Sequence, residues 1–301
     1  MNLTKKLQIT SPSIEQKISP KWDNAQHVQL WVKRDDLLHP IISGNKWRKL
    51  RHALQSAADN QCQHIISFGG GFSNHLHALG YCCQKLGIKM TAIVRGDYSS
   101  NPSPMLRDLI QWNTDIQYVN RLTYQKRTDL DYLATLQQGY PNALIIPEGG
   151  SQQQALVGMA EVITELTQEY DYILAPVASG GTLAGLIHAI SQTKIDTKVL
   201  GIAALKGRDY LENLVINLLP EASKNIANWQ INHDHHFGGY AKSSIELKQF
   251  CGDFEKHSNI PIEPVYSGKL FFALRQLTAQ SAFAKDSKIL VLHTGGLQGS
   301  R

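Results

Sequence analysis

Apolar runs recur along the chain with amphipathic stretches between them: Ile65-Ile66-Ser67, Met90-Thr91-Ala92-Ile93-Val94, Ile116-Gln117-Tyr118-Val119, Ala143-Leu144-Ile145-Ile146, Tyr172-Ile173-Leu174-Ala175, Val199-Leu200-Gly201-Ile202 and Lys288-Ile289-Leu290-Val291-Leu292. Short runs that are apolar at successive positions bury both faces of a strand, which predicts parallel sheets covered by helices. The intervening segments 74–86, 152–168, 182–192 and 243–257 carry apolar residues at three- and four-residue spacing, the period of a helix that buries one side. The fold class is therefore α/β, with two plausible sheets, one from about residues 60–150 and the other from the remainder. The richest cluster of breakers, Gly96-Asp97-Tyr98-Ser99-Ser100-Asn101-Pro102-Ser103-Pro104, falls inside the first strand set and is expected to be an exposed loop rather than a domain boundary.

Composition narrows the function classes. With 301 residues and 42% hydrophobic content the chain can bury a sizeable core, as one large domain or two small ones. Its net charge of +5 is spread along the sequence, without the basic tail or stripe that nucleic-acid binding calls for. No run approaches a membrane span, and Met1-Asn2-Leu3-Thr4-Lys5-Lys6-Leu7-Gln8 lacks the apolar core of a secretory signal, so a cytoplasmic location is expected. Cys62, Cys82, Cys83 and Cys251 form no CxxC pair, which fits reduced thiols.

The chemistry concentrates in three stretches. Gly44-Asn45-Lys46-Trp47-Arg48-Lys49-Leu50 places a lysine where an extended segment gives way to a helix. Three cations, Lys46, Arg48 and Lys49, crowd a helix start whose dipole disfavours them, so an offsetting group is required. Ser67-Phe68-Gly69-Gly70-Gly71-Phe72-Ser73-Asn74-His75 and Ala178-Ser179-Gly180-Gly181-Thr182-Leu183-Ala184-Gly185 each follow a predicted strand and open a predicted helix, the edge at which α/β sheets bind ligands. The first fails the GxGxxG spacing at Asn74 and reads equally as a turn capped by Ser73 or Asn74. The second is either a plain helix start or a phosphate nest made of its amides and the Thr182 hydroxyl. Together they suggest an anionic cofactor bound covalently to Lys46, the chemistry of pyridoxal phosphate, whose aldehyde condenses with a lysine amine. His233, His235 and His236 lack zinc-site spacing, and no metal is expected. Tyr266 in Glu263-Pro264-Val265-Tyr266-Ser267-Gly268-Lys269 is either a core aromatic or a side chain presented by a rigid loop between Pro264 and Gly268.

These residues give the chain a resemblance to the 1-aminocyclopropane-1-carboxylate deaminase and D-cysteine desulfhydrase family of pyridoxal-phosphate enzymes. It runs from about Trp31 to Gly296 and rests on Val32-Lys33-Arg34-Asp35-Asp36, Gly44-Asn45-Lys46, Ser73-Asn74-His75, Ser179-Gly180-Gly181-Thr182, Pro264-Val265-Tyr266-Ser267-Gly268-Lys269 and His293-Thr294-Gly295-Gly296. The resemblance implies a tryptophan-synthase-β-like, fold type II enzyme with two open parallel-sheet domains and the cofactor in the cleft between them. The large domain would comprise 1–46 and 151–301 and the small domain 47–150. Lys46 would be the cofactor lysine. Asn74, Ser179, Gly180, Gly181, Thr182 and Ser267 would bind the cofactor, and Ser73, Asn74, His75 and Tyr240 the substrate. Tyr266 and Ser73 would act in catalysis with Lys46, and the enzyme would be a homodimer acting on a small amino acid.

Ser267 stands where the ring-opening deaminases carry glutamate. A hydroxyl cannot hold a pyridine nitrogen protonated as a carboxylate can, so the expected reaction is a desulfhydrase-like elimination from D-cysteine giving pyruvate, ammonia and sulfide. His75, where those deaminases carry glutamine, points the same way. The alternatives are 1-aminocyclopropane-1-carboxylate deamination to α-ketobutyrate, another D-amino-acid lyase, and a non-catalytic pyridoxal-phosphate binder.

Overall fold

A computed structural model describes residues 2–224 and 228–300. Ten strands build two sheets among these residues. Strands β1 (Glu15–Ile18), β2 (Gln29–Lys33), β7 (Tyr172–Val177), β8 (Lys198–Ala203), β9 (Trp229–Asn232) and β10 (Lys288–Leu292) form one sheet in the order β1-β2-β10-β7-β8-β9. Strands β3 (His64–Gly70), β4 (Lys89–Arg95), β5 (Asp115–Val119) and β6 (Ala143–Ile146) form the other in the order β5-β4-β3-β6. Every pairing is parallel except β1 with β2.

All seven predicted strands are present, and their continuous apolar character is explained by cover on both faces. In β10, Leu290 and Leu292 pack with Leu156, Met159 and Leu183 on one side, while Ile289 and Val291 pack with Phe250, Phe254 and Phe271 on the other. The three strands not foreseen, β1, β2 and β9, have mixed sequences. β1 and β9 lie at the two edges of the sheet, where one side of the strand needs no partner and little apolar patterning.

The predicted helices appear as Asn74–Leu86, Gln153–Thr164, Gly181–Ser191 and Ile245–Ser258. The breaker cluster is a loop up to Ser103, whose hydroxyl caps the helix Pro104–Gln111 by accepting from Leu106 N. Two further helices matter for the site. Asn45–Asp59 begins at Gly44, whose φ of +67° only glycine adopts freely and where a Cβ would lie 1.7 Å from Thr294 O. Ser267–Ala279 follows Tyr266 directly, so Gly268 is helical and the rigid-loop reading of that stretch is corrected. The residue is small because a Cβ there would lie 2.6 Å from Cys251 Sγ.

Candidate active site

The cations at the start of the Asn45–Asp59 helix divide by the side of the helix they occupy. Arg48 is 1% exposed and donates through Nε and Nη2 to Asp35 at 2.6 and 2.8 Å and through Nη2 to Glu165 at 2.8 Å. Lys33 lies 3.4 Å from Glu165 and donates to Ser13 O at 2.8 Å, and Ser13 Oγ donates to Asp35 at 2.6 Å. Arg34 forks onto Asp36 through Nε and Nη2 at 2.9 and 2.7 Å. The Lys33-Arg34-Asp35-Asp36 motif is thus a buried brace that seats the helix.

Lys46 and Lys49 have no carboxylate within 4.0 Å among the described residues. Lys46 Nζ donates to Asn45 Oδ1, and Asn45 Nδ2 donates in turn to Thr182 Oγ1 at 2.7 Å. Burial lowers the Lys46 pKa to about 8, against a smaller upward pull from the Glu263 carboxylate. Lys49, 3% exposed, donates to Ser151 Oγ at 3.1 Å and Ser179 Oγ at 3.3 Å, and those hydroxyls lie 2.7 Å apart. Burial, and then the charge of Lys46, hold its pKa well below the usual lysine range.

Beside Lys49 the Gly181–Ser191 helix begins, with Gly180 at φ +77°. Gly181 permits this approach, because a Cβ there would lie 3.1 Å from Lys49 Cε and 2.8 Å from Ser151 Oγ. A buried ammonium with only hydroxyl partners, next to the free N–H groups of a helix start, fits a dianionic phosphate. The residues present therefore fit pyridoxal phosphate: Lys46 would meet its aldehyde, and Lys49, Ser179, Gly180, Gly181 and Thr182 would hold its phosphate.

The second glycine loop brings up Ser73 and Asn74. Ser73 is the N-cap of the Asn74–Leu86 helix, its Oγ accepting from Leu76 N at 3.2 Å. Asn74 Oδ1 accepts from Gln298 Nε2. A Cβ at Gly296 would lie 2.9 Å from Asn74 Nδ2 and 3.9 Å from Glu263 Oε1, so the His293-Thr294-Gly295-Gly296 stretch passes between these two side chains. His75 is 2% exposed and turned toward Ser67 and Gly150. Ser67 spends its single proton on Ile146 O, so His75 donates its Nε2–H to Ser67 Oγ at 2.7 Å and is left with an unpaired Nδ1 acceptor. Burial and then the charges of Lys49 and Lys46 push its pKa well below 6.5, keeping the ring neutral.

Beside Glu263 stands a pair of tyrosines. Tyr266 Oη donates to Tyr240 Oη at 3.2 Å, with the rings edge to face at 6.0 Å. Burial, and then Tyr240, hold the Tyr266 pKa well above 10, so the hydroxyl keeps its proton. Glu263, 2% exposed, fixes the base of Tyr266. Its Oε1 accepts from the backbone N–H of Tyr266 and Ser267, both at 2.8 Å, and its Oε2 accepts from Val265 N at 2.6 Å. Ser267 Oγ accepts from Glu263 N at 2.9 Å and lies 3.2 Å from Glu263 Oε1. Serine at 267 is thus accompanied by the Glu263 carboxylate, four residues earlier, which is held by the Val265, Tyr266 and Ser267 backbone.

On the small-sheet side, Glu148 accepts from Tyr124 Oη at 2.7 Å and Arg127 Nε at 2.6 Å. Arg95, at the end of β4, stacks over the Tyr124 ring at 5.6 Å, and its Nη2 lies 3.9 Å from the position of a Gly70 Cβ. The three histidines at 233–236 take separate partners, His233 with Glu212 at 2.6 Å and His235 with Asn232 at 2.9 Å, while His236 accepts from Gly238 N at 3.0 Å.

Sequence reasoning missed Lys49 and Glu263. The unexplained excess of cations at the helix start was the available sign of the first, and nothing in the pattern marked the second.

Two sheets, parallel but for the β1–β2 pair, with a lysine of lowered pKa at the start of the Asn45–Asp59 helix, belong to a pyridoxal-phosphate enzyme of the tryptophan-synthase-β-like, fold type II class. The chain belongs to the pyridoxal-phosphate dependent enzyme family, whose match spans residues 18–295. A protein of Pyrococcus horikoshii named putative 1-aminocyclopropane-1-carboxylate deaminase is 29% identical over 280 residues, covering 90% of this chain and 85% of its own. The D-cysteine desulfhydrase of Klebsiella pneumoniae is 28% identical over 291 residues, covering 89% and 87%. A crystal structure described as an ACC deaminase homologue superposes with a TM-score of 0.82 at 27% identity, covering 99% of this chain and 95% of that one.

Proposed function

We propose that this enzyme is a lyase acting on a small amino acid, with D-cysteine as substrate and pyruvate, ammonia and hydrogen sulfide as products after addition of one water. The observation that carries the reading is a pair of lysines without carboxylate partners, of which Lys46 feels the charge of Glu263, the carboxylate that holds the backbone of Tyr266 in a hydrogen-bonded tyrosine pair. When bound, pyridoxal phosphate supplies an electron sink for the electrons left at Cα. Lys46, with its pKa lowered to about 8, suits a base that takes the Cα proton near neutral pH. Ser73, Asn74 and His75 present the start of a helix to the substrate carboxylate, the Ser73 hydroxyl proton being free of the cap bond. Tyr266 holds its proton and donates it to Tyr240 at 3.2 Å; turning that hydroxyl from Tyr240 to the departing sulfur would make it the proton donor of the elimination.

The relatives named D-cysteine desulfhydrase and 1-aminocyclopropane-1-carboxylate deaminase support cofactor chemistry on a small amino acid, but the cyclopropane substrate has no Cα proton, so its ring would open without the proton removal that starts elimination from D-cysteine. The deaminase reading is favoured by one feature, the Glu263 carboxylate 3.2 Å from Ser267 Oγ. A non-catalytic binder has no use for a proton-holding tyrosine pair. We further take 1–46 with 151–301 as the large domain and 47–150 as the small one, a homodimer as the assembly and the cytoplasm as the location. No helix among the described residues is long and apolar enough to cross a membrane, and the four cysteines are unpaired.

The test is an absorbance spectrum of purified protein with pyridoxal phosphate, followed by D-cysteine and the cyclopropane amino acid as separate substrates. Pyruvate with sulfide from the first supports the proposal. α-Ketobutyrate alone, from the second, transfers it to the deaminase reading, and turnover of neither with the cofactor bound rejects both substrates.

A further inference from the structure

Lys269 is 1% exposed, yet it has no carboxylate within 4.0 Å among the described residues. Its ammonium donates instead to two carbonyls that lie 35 residues apart in sequence, Ala204 O just past β8 and Gly239 O, each at 2.8 Å. A buried lysine is costly to keep, and an apolar side chain of equal length would fill the space without a charge. What the lysine adds is the tie.

The Gly239 end of that tie is the peptide that leads into Tyr240. The turn around it is an unfavourable one for the backbone, with φ of +52° at Phe237, +93° at Gly238, +128° at Gly239 and +55° at Ala241. Within the turn, Gly239 N donates to His236 O at 3.0 Å and Lys242 N to Gly239 O at 3.1 Å. Two side-chain contacts fasten it to the Ser267–Ala279 helix: the Lys269 bond, and the Phe237 ring set edge-on to Phe272 at 4.9 Å. Tyr266, Lys269 and Phe272 are three residues apart in succession and share one side of that helix start. One helix thus carries Tyr266 and also grips the turn that carries its partner.

We propose that Lys269 is a positioning residue that holds the 237–241 turn so that Tyr240 meets Tyr266. Its ammonium is engaged by the Ala204 and Gly239 carbonyls and acts through Tyr240. The inference rests on the reading of the tyrosine pair as part of the substrate side of the cleft.

The holoenzyme variants Lys269→Met and Tyr240→Phe and the double variant test it by two measurements. Amide hydrogen exchange of the peptide covering 236–242 is expected to quicken about tenfold in Lys269→Met, while exchange in the Ser267–Ala279 helix stays within about twofold. With D-cysteine, Lys269→Met is expected to raise KM about tenfold with kcat within about threefold, and the double variant to differ from Tyr240→Phe by less than about twofold. Unchanged exchange in 236–242, or effects of the two substitutions that multiply, would overturn the proposal. If the wild type does not turn over D-cysteine, the substrate reading falls and the exchange comparison still decides the role of Lys269. Should Lys269→Met fail to fold, Lys269→Gln, which keeps an N–H donor, is measured in its place with the same expectations at smaller size. Failure of both to fold assigns Lys269 to the fold as a whole and rejects the positioning role.

Discussion

Two sides of one helical turn treat their cations in opposite ways. Arg48 faces Asp35 and Glu165 and is matched in charge and geometry, whereas Lys46 and Lys49, two residues before it and one after, face only amide and hydroxyl oxygens. A paired buried ion stabilises a fold chiefly by not being left alone, and an unpaired one persists when function needs it. The carboxylates of the brace absorb the positive charge that the fold can tolerate. The charge left over on the other side is what a phosphate can answer.

That contrast can be broken most directly at Lys46. Lys46→Ala is expected to cut turnover by a factor on the order of 10²–10⁴, the range for losing a general base, and to abolish the covalent absorbance band while the fold is kept. Retention of both band and turnover would move the cofactor lysine elsewhere. Across the helix, Arg48→Met strands Asp35 and Glu165 without their guanidinium and is expected to cost about 3–5 kcal/mol in urea unfolding. A loss below about 1 kcal/mol would show that the brace carries little of the fold.

Lys49→Met should leave the fold standing and weaken cofactor binding roughly 10–100-fold, the worth of about 1.5–3 kcal/mol for a hydrogen bond to a charged group. Equilibrium titration of apoprotein with pyridoxal phosphate reads this, and an unchanged affinity separates Lys49 from the phosphate. The smallest effect is on rate. Only the unprotonated amine attacks an aldehyde, and with a pKa of about 8 roughly one Lys46 in ten is unprotonated at pH 7. Cofactor uptake at fixed concentration should therefore quicken about tenfold per pH unit below pH 8 and level off above it. A rate still climbing at that slope through pH 9.5 would place the Lys46 pKa near that of a solvated lysine.

The internal strands, the helices with an apolar stripe and the glycine turns were legible because each is a local pattern with a fixed period or a steric demand. β3 to β6, β7, β8 and β10 lie where the apolar runs stand. The Ser267–Ala279 helix was hidden because it is buried nearly all round, which erases the stripe, and because Gly268 reads as a breaker although packing against Cys251 is what requires it. Lys46 could be picked out from its neighbours in sequence. Its pKa could not, since that depends on how deeply the two sheets bury it.

What the sequence determined by itself was an α/β chain with a lysine and two glycine-rich turns at strand-to-helix junctions, because those features arise from residues next to one another. Which cations are neutralised and which are left for a ligand was decided only by the tertiary structure. Asp35 and Glu165 reach Arg48 from 13 and 117 residues away, and Glu263 comes beside Asn74 across the Gly296 backbone. Charge acts through space, over a few ångströms of low-dielectric interior, and those distances exist only once the chain is folded.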